Sequence, residues 1–131
     1  MKKILIADDD RTARLLLVEA AKAEGLITIE ASDGRVAREI LFDNPDIAAV
    51  VTDMMMPNES GRDLVTLLRS SPLFKDLPVI MVSGVVKLSE ISDILELGAS
   101  RFLPKPINVT HFRDYLRAIF RARQSDSAAA H

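Results

Sequence analysis

Four short apolar runs in this chain each stop at a polar residue, and the stops are Asp, Asp, Ser and Lys. Residues 3–7 run into Asp8, Asp9 and Asp10, and residues 47–52 run into Asp53. Residues 77–82 run into Ser83, and residues 101–104 into Lys105. Strand-length apolar runs that alternate with segments of helical period predict a parallel sheet covered by helices. Ligands of such sheets bind beyond the carboxyl ends of the strands. One sheet edge would therefore gather at least three carboxylates, a hydroxyl and an ammonium, which is equipment for a divalent metal and a phosphoryl group.

The alternation continues along the whole chain. Ala13, Leu16, Leu17, Ala20 and Ala21 mark a first helix, which Gly25 ends as a C-terminal cap. Residues 26–31 place Thr28 and Glu30 between apolar neighbours, the pattern of a strand near a sheet edge with one wet face. Asp33-Gly34 leads into a helix with Val36, Ala37, Ile40 and Leu41, stopped by Asn44-Pro45-Asp46. Ser60-Gly61 precedes a helix with Leu64, Leu67 and Leu68. A fourth helix carries Leu88, Ile91 and Leu95 and ends at Gly98; Asn108 caps a fifth with Phe112, Leu116, Ile119 and Phe120. The fold class is thus α/β, a doubly wound parallel sheet of five strands with five helices. Residues 1–123 form one domain, and the small polar residues 124–131 read as a disordered tail.

Composition narrows the classes. At 131 residues, with 48% apolar and 27% charged side chains, the chain can bury its own core. Cysteine is absent, which excludes disulfides, thiol nucleophiles and Cys-ligated zinc. No apolar stretch approaches the ~20 residues of a membrane span, and no signal peptide opens the chain, so a cytoplasmic location without membrane contact is expected. A net charge of −2 gives no general attraction to nucleic acid.

Three converging carboxylates repel one another unless a cation intervenes. Mg²⁺ (or Mn²⁺) suits such a site, since it takes one or two carboxylates and completes its shell with water and phosphate oxygens. Asp53 would attack phosphorus in line, with the metal shared by Asp9 and Asp53. Lys105 would bind a phosphoryl oxygen as a compact charge, and Ser83 would donate a hydrogen bond to another. Met54, Met55 and Met56 read as packing residues, because thioethers are poor ligands for a hard ion.

With these pieces assembled, residues 2–122 resemble a response-regulator receiver domain of two-component signalling, of the chemotaxis-regulator kind. The resemblance rests on Ile4-Leu5-Ile6-Ala7-Asp8-Asp9-Asp10, Thr52-Asp53-Met54-Met55-Met56-Pro57, Gly61, Val82-Ser83-Gly84 and residues 98–106, in that order and at the family's spacing. It implies a flavodoxin-like strand order 2-1-3-4-5. It implies that Asp53 accepts a phosphoryl group from a histidine kinase, a histidine phosphotransfer protein or a small phosphodonor. Asp8, Asp9, Asp53 and the backbone carbonyl of Met55 would hold the metal. Ser83 and Phe102 would be the switch pair, Lys105 the phosphate partner, and Lys105–Pro106 a cis peptide. The protein would then be a phosphorylation-dependent signalling switch acting through the fourth helix, fifth strand and fifth helix. It would not be an enzyme beyond its own phosphoryl transfer and slow self-dephosphorylation. Its target would be another protein or an output domain absent from this chain, with no nucleic acid bound directly. Ser100-Arg101 stands where DNA-binding members carry an Asp pair that supports dimers, so a monomer or a weak phosphorylation-dependent dimer is expected. Met55 and Val85 would flank the path of attacking water, and neither side chain can orient it.

Two other classes compete. Residues 4–12 also match the nucleophile motif of haloacid dehalogenase-like phosphatases, with Asp8 as nucleophile and Asp10 as acid/base. That reading needs a later acidic pair, and after Lys105 only Asp114 and Asp126 remain. A flavin-binding module would share the strand order, but Asp8, Asp9 and Asp10 would repel its phosphate.

Overall fold

A computed structural model describes the backbone of residues 1–84 and 87–129, with side chains through Arg121. Its elements follow in order β1 (Lys3–Ala7), α1 (Arg11–Ala23), β2 (Ile27–Ala31), α2 (Gly34–Asp43), β3 (Ile47–Asp53), α3 (Gly61–Ser70), β4 (Val79–Ser83), α4 (Leu88–Leu97), β5 (Arg101–Pro104) and α5 (Val109–Ala129). The strands form one parallel sheet, as the residue pattern predicts, in the order β2-β1-β3-β4-β5 that the resemblance implies.

Alternating side chains send each strand's residues to two cores. Leu5, Ala7, Val50, Val79 and Met81 meet Leu41, Leu64, Leu68 and Ile94 under α2, α3 and α4. Ile4, Ile6, Val51, Ile80 and Val82 meet Leu17, Val18, Phe112, Leu116 and Ile119 under α1 and α5. Truncating one of these fully buried leucines, Leu17→Ala for instance, costs about 2–5 kcal/mol. The edge strand β2 is wet along much of its length: Ile27 and Glu30 are exposed, and Thr28 and Ile29 are half-buried.

Capping chemistry sets the helix starts. Asp10, Asp33 and Ser60 accept backbone N–H bonds at the N-termini of α1, α2 and α3, and Ser60 with Asp63 completes a capping box. Asn108 does the same for α5 through the His111 N–H. Gly25 and Gly98 leave α1 and α4 with positive φ, as expected of residues just past a helix.

Four details depart from the sequence reading. Leu26 lies in the turn before β2, because its N–H donates to the Ala21 carbonyl. Leu16 is exposed while Val18 is buried, so the inward stripe of α1 is rotated. In α4, Leu88 and Leu95 are exposed and Ile94 is the buried residue. Helix α5 runs on to Ala129, so residues 124–129 are helical where a disordered tail was expected. The physical reason is that no Gly or Pro interrupts Ala122 to Ala129, and alanine is the strongest helix former. Among the described residues no helix is long and apolar enough to cross a membrane.

Candidate functional site

Strands β1 and β3 are hydrogen-bonded neighbours, so the residues that end them lie side by side. Asp53 is the last residue of β3, and Asp8 follows β1 directly. Asp8 is fully buried and Asp53 nearly so, whereas Asp9 is exposed at the rim. One oxygen from each of Asp8, Asp9 and Asp53 lies within 4.8 Å of the others. From β5, Lys105 reaches across the sheet edge. Its Nζ stands 3.2 Å from Asp8 Oδ2 and 3.2 Å from Asp53 Oδ2.

The surroundings of each group follow from the fold. Asp8 Oδ1 accepts the Asp10 N–H at 2.9 Å, while Oδ2 takes no hydrogen bond although Lys105 faces it. Burial, and next the charge of Asp8, push the Asp53 carboxyl up to about 6, with Lys105 pulling the other way. Burial works against the charge on Lys105, but Asp53 and Asp8 outweigh it and hold the ammonium above its ordinary value. One ammonium against three carboxylates leaves the site short of positive charge. A buried Asp8 oxygen whose only partner among the described residues is the Lys105 ion pair, clustered hard donors and a raised carboxyl are what a divalent cation would relieve. The residues therefore fit Mg²⁺ or Mn²⁺.

Ser83 is buried at the end of β4, one residue beyond the Asp53–Val82 register pair, and its carbonyl accepts the Lys105 N–H at 2.8 Å. The N–H of Met55 lies 3.4 Å from Asp53 Oδ1, and its side chain is 68% exposed. The Lys105–Pro106 peptide is cis. Phe102 is not in the cluster; it is half-buried in β5, opposite Met81, against the core under α4. Val85 lies outside the described residues. Asp10 spends its carboxylate on the Thr12 N–H at the start of α1, so it is not placed as the acid/base of a phosphatase.

Sequence reading missed Arg14. Its Nη1 donates to the Asp8 carbonyl at 2.7 Å and its Nε to Glu30 at 3.0 Å, tying α1 to the tips of β1 and β2. In the sequence Arg14 is one charged residue within an amphipathic helix, a signal too weak to have singled it out.

The family model of the response regulator receiver domain matches residues 4–117. This chain belongs to that family. Receiver domains are phosphorylation-dependent signalling modules of two-component systems rather than classical enzymes. The chain is 40% identical over 123 residues to the transcriptional regulatory protein CpxR of Escherichia coli K12, covering 92% of this chain and 50% of that protein. It thus spans about half the length of that curated relative. It is 30% identical to chemotaxis protein CheY1 of Helicobacter pylori, over 89% of this receiver and 95% of CheY1. A solved response regulator receiver protein from Pseudomonas putida superposes with a TM-score of 0.81 at 30% identity, covering 89% of this receiver and 96% of that chain. Nothing in these likenesses supports a dehalogenase-like phosphatase.

Proposed function

We propose that Asp53 of this receiver accepts a phosphoryl group and that the modification switches the domain between two states. The observation that carries this reading is the Lys105 ammonium held 3.2 Å from both Asp8 and Asp53, beside a third carboxylate. The donor would be the phosphohistidine of a histidine kinase or of a histidine phosphotransfer protein, or a small acyl or amino phosphate.

Asp8, Asp9, Asp53 and the Met55 carbonyl would hold Mg²⁺ or Mn²⁺. That ion would neutralise the carboxylates and the phosphoryl oxygens as they approach. At neutral pH Asp53 is mostly ionised even with its carboxyl raised to about 6, so an oxygen lone pair is ready for in-line attack on phosphorus. As the P–O bond forms, the bond to the donor nitrogen breaks and the leaving imidazole keeps the electron pair. Lys105 would pair with a phosphoryl oxygen in place of the Asp53 oxygen it now contacts, and the Ser83 hydroxyl would donate to another. Inward movement of Phe102 would transmit that change to α4, β5 and α5. The receiver's target is then a protein or an output domain, met as a monomer or as a weak phosphorylation-dependent dimer in the cytoplasm. Direct binding of nucleic acid is not part of this reading.

Phosphoramidate and Mg²⁺ should add one phosphoryl group to the parent, read by intact mass, and none to Asp53→Ala. Equal labelling of the two proteins would remove Asp53 from its role. Catalytic release of phosphate from small phosphomonoesters would favour a hydrolase instead.

A further inference from the structure

We infer that Asn58 and Asp33 are positioning residues for the metal site: together they clamp the β3–α3 loop in the shape that presents the Met55 carbonyl. The inference rests on the metal site proposed above and goes on to name what holds it in place.

The loop between Asp53 and Gly61 is fastened at its far end. Asn58 sits at φ 68°, the one non-glycine residue with positive φ among the described residues. Its side-chain amide donates to Asp33 Oδ2 at 3.1 Å. Asparagine tolerates the left-handed region better than most residues, but the conformation still needs an external hold. Asp33 is itself fixed, because its Oδ1 accepts the Val36 N–H at 2.8 Å as the cap of α2. One carboxylate therefore seats a helix with one oxygen and the loop with the other.

Backbone packing repeats the attachment. A Cβ on Gly34 would overlap the Glu59 carbonyl, so the first residue of α2 lies directly against the loop. Arg38, a turn further along α2, pairs with Glu59 at 3.5 Å. A Cβ on Gly61 would likewise strike the Asp53 carbonyl, and the Gly61 N–H donates to the Met54 carbonyl at 3.0 Å. The sheet-side end is pinned at Met54, whose N–H also donates to the Val82 carbonyl at 2.9 Å, whereas the next residue is held less firmly: the Met55 N–H reaches Asp53 Oδ1 only at 3.4 Å. The peptide that bears the Met55 carbonyl thus lies between two fixed points, Met54 on the sheet side and, three residues downstream of Met55, the Asn58 anchor on the cap of another helix. Outer partners that orient a ligand commonly govern metal affinity as much as the ligands' neighbours in sequence do.

Two single variants separate positioning from folding. Asp33→Ser keeps an N-cap oxygen for Val36 but cannot reach Asn58, and Asn58→Gly keeps the left-handed backbone but drops the amide. Mg²⁺ affinity is read from amide shifts near Asp53 in an NMR titration, beside the thermal unfolding midpoint in EDTA. Each variant should weaken Mg²⁺ binding about tenfold. The double variant should lose no more than either single, and the EDTA midpoints should stay close to the parent's. Asp33→Asn keeps an oxygen to accept the Val36 N–H and turns its other atom into a donor, so Asn58, with its amide turned over, accepts through Oδ1; this variant should recover most of the affinity that Asp33→Ser loses. Singles within twofold of the parent, or losses that multiply in the double variant, would overturn the clamp while leaving the metal site intact. A parent that binds no Mg²⁺ would bring down the site and the clamp with it.

Discussion

Two charge clusters occupy opposite ends of this sheet, one with carboxylates in excess around a single cation and the other with two cations around a single glutamate. At the carboxyl end three carboxylates share the Lys105 ammonium in largely buried surroundings. At the amino end Glu24 takes both Arg113 and Arg117, at 2.6 Å each, where α1 meets α5. The electrostatic outcomes are opposite as well. Asp53 is pushed up to about 6, chiefly by burial. Glu24 is held below its ordinary value, chiefly by the hydrogen bond from Arg117. The satisfied cluster fastens a helix, while the frustrated one retains an affinity for cations and phosphoryl oxygens. Concavity does not tell the two apart, since a surface hollow of about 390 Å³ lies at the amino end, lined by Lys2, Glu24, Leu26 and Arg117.

The largest test of this contrast removes the scarce cation. Lys105→Met should cost roughly 3 kcal/mol of stability at pH 7 in EDTA, because it leaves buried carboxylates uncompensated. Urea unfolding measures this, and Mg²⁺ should return part of the loss. A cost below that of an ordinary surface lysine would mean that water already screens the cluster.

Removing a carboxylate should act the other way. Asp53→Asn should gain roughly 2 kcal/mol at pH 7 without metal. The sign follows from linkage. A carboxyl raised to about 6 in the folded state binds its proton more tightly there than in the unfolded chain. The parent should therefore gain stability as pH falls from 7 through 6 toward 4, and lose it as pH rises. That gain should be missing from Asp53→Asn, in chemical unfolding followed across the same range.

Glu24→Gln probes the satisfied end and should cost about 1 kcal/mol, shrinking in high salt. Here the lowered carboxyl contributes stability above the unfolded value, and that contribution is lost as pH falls through the folded one. A salt-independent loss would point to packing of the glutamate stem rather than charge. The smallest effect expected is kinetic. Met55→Asn places a polar group at the exposed mouth and should shorten the lifetime of phosphorylated protein by about threefold, by helping to orient water. An unchanged rate of phosphate release after donor removal would mean that this position does not govern water access.

Much of this contrast was legible in the sequence, and the illegible part has a common cause. Strand tips follow from where apolar runs stop, so Asp8, Asp53, Ser83 and Lys105 could be placed on one edge before any coordinates. Pairings between distant segments leave no such trace. Arg113 and Arg117 stand one turn apart on α5 and hold Glu24 from 89 and 93 residues away, and nothing near any of the three in the sequence signals the contact. The Asn58–Asp33 bond spans 25 residues, and nothing in either neighbourhood announces it. Helical period also marks a stripe without saying how much of it is covered, which is why Leu16 and Leu88 were expected inside and lie outside.

The core beneath α1 and α5 has a consequence for how the protein is made. Ile4 and Ile6 from the first strand share that core with Phe112, Leu116 and Ile119 from the last helix. A ribosome delivers the strand and α1 early and α5 late, so one apolar face of β1 has only part of its cover until nearly the whole domain has emerged. The nascent chain therefore carries an unfinished sheet through most of its synthesis, the condition under which chaperone capture and mispairing compete with folding. Protease resistance of stalled chains should rise abruptly only once α5 has cleared the exit tunnel, not in steps as each strand appears.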